Sequence, residues 1–132
     1  MKAVDPNGKG PRWERVVADY GYAAKFPWDR AALHGNRDLG DIIGCWDDGW
    51  IIGCKSLSAE TLQARLSEGM DKIRDAKANF ARKYPGRHDH MIGVQVVQRR
   101  NHRTGRAYVV MEYDDFLRLA EMRRDWDGGE GK

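Results

Sequence analysis

The sequence predicts a mixed α/β domain on the border of α+β, and three observations carry that expectation. Residues 41–55 hold two short apolar runs around the turn Asp47-Asp48-Gly49, the pattern of a β-hairpin. Apolar residues recur at helical spacing over 13–20 and again over 62–80. Two further runs rich in β-branched and apolar residues, 91–98 and 106–112, follow the second helical stretch. The resulting order, αβββαββα, makes one mixed central sheet with helices packed on it. A chain of 132 residues is long enough for a single domain, residues 1–132, with a real core.

The elements follow in order. Residues 1–10 are polar, with two glycines and one proline, and are expected to be a flexible arm carrying Lys2 and Lys9. Pro11 suits the first turn of a helix. Trp13, Val16, Val17 and Tyr20 then form an amphipathic stripe, with Glu14 about 110° from its centre, at the edge. Residues 28–33 are expected as an edge strand, and 34–40 as a polar, glycine-bearing loop. In the hairpin, a three-residue turn pairs Trp46 with Trp50, Cys45 with Ile51 and Asp41 with Lys55. Ile51, Gly53 and Lys55 share one face of the second strand, because side chains alternate.

Ser58 caps the next helix, whose core stripe is Leu62, Leu66, Met70, Ile73, Ala76 and Phe80. That helix ends near Tyr84-Pro85-Gly86. A turn over 101–105 joins the two last strands. Residues 114–124 form a closing helix with Phe116, Leu117 and Ala120 inward, and 126–132 a disordered tail.

Composition narrows the class of protein. Charged residues make up 33% and apolar ones 41%, which fits a soluble globular chain and excludes a disordered one. No apolar run approaches the roughly 18 residues of a membrane span, and no signal peptide pattern opens the chain, so a cytoplasmic protein is expected. Net charge is +3, so a strongly basic surface has to come from clustering. Arg82, Lys83, Arg87, His88 and His90 form one cluster. Arg99, Arg100, His102, Arg103 and Arg106 form another, at a turn suited to phosphate contact. The spacing of Cys45 and Cys54, without a nearby histidine, is not that of a metal site, and buried free thiols are expected.

An acid and a lysine fixed together in a partly apolar hairpin are costly, and such arrangements tend to be functional. Here the residues carry a likeness. Gly40-Asp41-Ile42-Ile43 and Ile51-Ile52-Gly53-Cys54-Lys55-Ser56 resemble the two halves of the PD-(D/E)xK nuclease motif: Asp, about a dozen residues, then Glu-x-Lys. Gly10-Pro11-Arg12-Trp13-Glu14-Arg15 is similar to the glutamate-bearing first helix of the short Holliday junction resolvases, archaeal and phage-encoded. The resemblance spans roughly residues 8–120. It departs at Gly40, where proline is common, and at Gly53, where the metal-binding Glu stands.

The resemblance implies a restriction-endonuclease-like core and Mg²⁺-dependent hydrolysis of a phosphodiester, with Mn²⁺ as a substitute. It makes Asp41 the primary metal ligand and Glu14 the holder of a metal-bound water or a second ion. Lys55 then orients the attacking water and stabilises the transition state. Arg37, Arg99, Arg100, Arg103, Arg106 and Lys9 are the expected DNA contacts. The partner is branched DNA, a four-way junction, and two symmetric incisions call for a homodimer.

At Gly53 the motif lacks its second carboxylate. Glu68, thirteen residues beyond Lys55, lies about 140° from the apolar stripe of its helix and points to solvent. Gly53 is therefore expected to be a lesion, natural or introduced, in an otherwise intact nuclease site. Two other functions stay open: a junction-binding protein that kept the fold without the chemistry, and a general nuclease or exonuclease of the same superfamily.

Overall fold

The computed structural model describes residues 9–34, 38–56, 62–87 and 90–130. The elements are α1 (Lys9–Ala23), β1 (Asp29–Arg30), β2 (Ile42–Ile43), β3 (Trp50–Lys55), α2 (Leu62–Lys83), β4 (Ile92–Val97), β5 (Tyr108–Met111) and α3 (Tyr113–Glu130). One 3-10 turn, Ala31–His34, follows β1, and another, Thr104–Arg106, precedes β5. Three helices with mixed strands make an α+β fold.

The expected order of elements is present, but the strands pair differently. The hairpin of residues 41–55 does not form a ladder. β2 instead pairs antiparallel with β1, as a two-stranded sheet with Ile42 opposite Arg30. β3 pairs parallel with β4 across the α2 crossover, and β4 pairs antiparallel with β5. The expected single mixed sheet is thus replaced by a two-stranded sheet and a three-stranded one in the order β3-β4-β5. The physical reason lies in burial. Both faces of β3 are covered, so it takes the interior position of a crossover unit rather than the exposed one of a hairpin.

The two faces of β3 are shown by its consecutive isoleucines. Ile52 packs with Trp13, Val17, Ala18 and Val94 on the α1 side. Ile51 packs with Ile73, Ala76 and Phe80 on the α2 side, joined by Leu39 and Met91. The indole Nε1 of Trp13 donates to the carbonyl of Val96 at 2.9 Å, docking α1 on the three-stranded sheet. On α2 the expected stripe holds at Ile73, Ala76 and Phe80, all buried, while Leu66 and Met70 are half-buried.

Other expectations are corrected. The strand expected at 28–33 shrinks to Asp29–Arg30, because the chain turns into the 3-10 segment. The buried face of α1 runs through Trp13, Glu14, Val17, Ala18 and Gly21, leaving Tyr20 exposed. That face is rotated toward Glu14, because small residues at 18 and 21 let the helix approach closely and the larger Tyr20 does not fit there. In α3, Phe116, Leu117 and Ala120 are exposed, and Asp115 is the buried residue. Asp115 accepts a hydrogen bond from Lys77 at 3.1 Å, and this ion pair sets which side of the helix faces α2. Helix α3 also continues to Glu130, through most of the expected tail. Among the described residues no helix is long and apolar enough to cross a membrane.

Candidate active site

The parallel strands β3 and β4 end level with one another, Lys55 beside Val97. At that end a cavity of about 380 Å³ opens on the α2 side of the sheet. Glu14, Asp41, Gly53 and Lys55, which come from three separate parts of the chain, all line it. Lys72, Asp75 and Asn79 form its wall on α2. These three lie on one face of that helix, at i, i+3 and i+7.

Asp41 is held by its backbone and its side chain. Its amide donates to the carbonyl of Ile52 at 2.8 Å, and its carbonyl accepts from the amide of Ala31 at 2.8 Å. Its Oδ2 accepts from the amide of Cys54 at 2.9 Å. Asp41 is therefore tied to β3 at Ile52 and Cys54, not set opposite Lys55 as the expected hairpin register has it. Gly40 just before it has φ of +101°, a conformation closed to proline.

Glu14 is 5% exposed. Its Oε1 lies 3.6 Å from Nε of Arg30, an ion pair that balances much of its buried charge. The thiol of Cys54 is pushed well above its ordinary value, first by burial and then by the negative charges of Asp41 and Glu14. Both carboxylates thus act on the same point of β3.

The amine of Lys55 is lowered from its ordinary value, mainly by burial and further by the cations Lys72 and Arg65. Asp41 and Glu68 oppose that shift. Around the cavity stand the acids Glu14, Asp38, Asp41 and Asp75 against the bases Lys55 and Lys72. The surplus of carboxylates makes it a setting for a cation.

Position 53 is not an empty notch. Gly53 is level with Gln95 on the neighbouring strand. A Cβ added at 53 would stand 2.6 Å from Gln95 Nε2 and 2.7 Å from Oε1. Gln95 is 3% exposed and its Nε2 donates to the carbonyl of Gly69 on α2 at 2.9 Å. Gln95 escapes a motif-based search, because the segments that carry the resemblance, 10–15 and 40–56, do not reach β4. Its signal is a polar side chain in the middle of the buried strand Ile92–Val97, on the face that carries Gly93.

Glu68 is largely exposed and pairs with Arg65 at 3.3 Å, outside the cavity, as its helical angle indicated. Among the described residues no three His, Cys, Asp or Glu side chains are grouped to hold a metal ion. The oxygen donors that line the cavity, four carboxylates and the amides of Asn79 and Gln95, are hard ones, the kind that suits Mg²⁺ or Mn²⁺. Mg²⁺ takes only one or two carboxylates and keeps several waters, so the donor set fits it.

Of the expected DNA contacts, Arg100, Arg103 and Arg106 are exposed on the loop between β4 and β5. That loop leaves the same end of the sheet as the cavity: the amide of Gln98 bonds the carbonyl of Lys55 at 2.8 Å. Arg99 is stacked 4.3 Å from the centre of the Tyr108 ring and donates to the carbonyl of Arg106 at 3.2 Å. The cluster at 82–90 begins on the last turn of α2, next to Asp38 and Asn79 of the cavity. There Lys83 pairs with Asp38 at 3.5 Å, and Arg87 pairs with Asp47. Arg37, Lys2 and His88 lie outside the described residues, as does the side chain of Lys9.

No family model, no curated protein and no solved structure matches the chain.

Proposed function

We propose that this protein is a Mg²⁺-dependent, structure-selective DNA endonuclease that resolves four-way junctions as a homodimer, on a restriction-endonuclease-like core. The observation that carries the proposal is the convergence of Glu14, Asp41 and Lys55 on one cavity beside position 53. These are the positions at which the sequence resembles the nuclease motif.

When bound, Mg²⁺ supplies Lewis-acid stabilisation of charge on the phosphate. Asp41, fixed by the Cys54 amide, is the anionic anchor for that ion. Lys55, partly withdrawn from water, faces the scissile phosphate, where its charge stabilises the transition state and its N–H groups orient the attacking water. Glu14, tied to Arg30, would hold a metal-bound water or a second ion. Arg100, Arg103 and Arg106 hold backbone phosphates of an arm of the junction.

A second function is favoured by one specific observation. Gln95 fills the place of the missing carboxylate, which is compatible with a junction-binding protein that has given up cleavage. A cleavage assay with Mg²⁺ on four-way, flap, nicked and linear DNA separates these alternatives. Selective cutting of the four-way substrate supports the resolvase. Cutting of every substrate points to a general nuclease. Tight junction binding without cutting supports the binding protein.

A further inference from the structure

We infer that Gln95 is a cation-positioning residue, its side-chain oxygen replacing, from the neighbouring strand, the carboxylate that Gly53 lacks. This rests on the proposed metal-dependent use of the cavity, but concerns cation binding itself rather than cleavage.

The orientation of the Gln95 amide follows from chemistry. The carbonyl of Gly69 can only accept a hydrogen bond, so the NH₂ group must face it, at 2.9 Å. Oε1 is thereby turned away from α2, and it is buried without a hydrogen-bond partner. An unsatisfied buried carbonyl oxygen is costly, and a cation bound beside it would satisfy it. Oε1 lies 2.7 Å from the point where a side chain at 53 would begin, and Gly53, Gln95 and Asp41 all line the one cavity.

The glycines at 53 and 69 make this possible. A Cβ at Gly69 would come 3.2 Å from Gln95 Nε2 and 2.9 Å from the Lys55 stem. A side chain at 53 would push the amide out of its slot, and one at 69 would crowd the amide and the Lys55 stem. A neutral amide oxygen is a hard donor suited to Mg²⁺ or Mn²⁺, but it brings no charge. The exchange of a carboxylate for Gln95 therefore keeps the donor and weakens the electrostatic hold on the ion.

The test is Mn²⁺ binding by electron paramagnetic resonance, without DNA, for the wild type, Gln95→Met, Gln95→Glu and Gly53→Ala. Circular dichroism establishes that each variant folds. Removing an outer-shell partner of a metal typically costs 10–100-fold in affinity, so loss of a direct ligand should cost at least about tenfold. Gln95→Met should weaken binding by that amount, Gly53→Ala should do likewise by displacing the amide, and Gln95→Glu should tighten it. Mn²⁺ affinity unchanged within about twofold in Gln95→Met and Gln95→Glu overturns the inference, as does a wild type that binds no Mn²⁺. A protein that binds Mn²⁺ through Gln95 yet cuts no DNA keeps this inference and loses the nuclease. Cleavage with Gln95-independent Mn²⁺ binding does the reverse.

Discussion

Gln95 occupies the space that a side chain at Gly53 would need, with three of its atoms 2.6 to 2.8 Å from the position of a Cβ there. The two residues are register partners on parallel strands, and each one's form depends on the other.

The first prediction concerns restoring the motif. Gly53→Glu alone must evict the Gln95 amide and break its bond to Gly69, costing about 1–3 kcal/mol of stability. Gly53→Glu with Gln95→Ala gives the carboxylate room. The double variant should be more stable than Gly53→Glu and cleave four-way junctions faster than the wild type. Urea denaturation and a gel cleavage assay read these two effects.

The second concerns pH. Burial lowers the Lys55 amine below its ordinary 10.5. Between the lowered value and 10.5 the unfolded chain binds more protons than the folded one, so this lysine makes stability rise with pH in that window. Cys45 acts oppositely, because burial raises its thiol from 9.0 to about 12, so stability is lost as pH climbs from 9. Lys55→Met should remove the first effect and keep the second. Urea midpoints of wild type and Lys55→Met between pH 8 and 10.5 should converge as pH rises, with the variant the more stable at pH 8.

The third concerns DNA affinity. Arg100, Arg103 and Arg106 are exposed at the cavity end of the sheet. Each one that contacts a phosphate should, on replacement by Ala, reduce the salt dependence of junction binding by about one unit of slope. Gel-shift titrations at several salt concentrations measure the slope. Replacing Arg87, already paired with Asp47, should change it less.

The fourth concerns packing. Asp115 is buried and pairs with Lys77 and Arg118. Asp115→Ala should destabilise the fold by roughly 1–3 kcal/mol, since it leaves the half-buried Lys77 without its partner. Phe116→Ser, on the exposed side of α3, should change stability by less than about 0.5 kcal/mol in the monomer.

The order of elements was legible because local pattern encodes it: short apolar runs at 50–55 and 92–97, and helical spacing in α2. The partner of β3 was not, since a parallel pairing across α2 leaves no local mark. Asp41 and Lys55 could be placed together from the motif, although the bond that joins their strands runs through Cys54. Gln95 could not, because its meaning depends on what lies opposite it. The inward turn of α1 toward Glu14 and of α3 toward Asp115 escaped for a shared reason. Each buries a carboxylate against a distant base, Arg30 or Lys77, and apolar periodicity does not register a charge pair.

The most direct test is cleavage of a four-way junction with Mg²⁺ by the wild type and by Asp41→Asn, with metal-free junction binding measured alongside. Several kcal/mol of metal stabilisation depend on Asp41, and each ~1.4 kcal/mol is tenfold in rate. The wild type should cut the junction slowly, Asp41→Asn should cut it about 10³-fold more slowly still, and both should bind it equally. Equal cleavage by the two proteins, or no cleavage of any branched DNA by the wild type and by the variant carrying both Gly53→Glu and Gln95→Ala, would contradict the assignment of this cavity as a nuclease site.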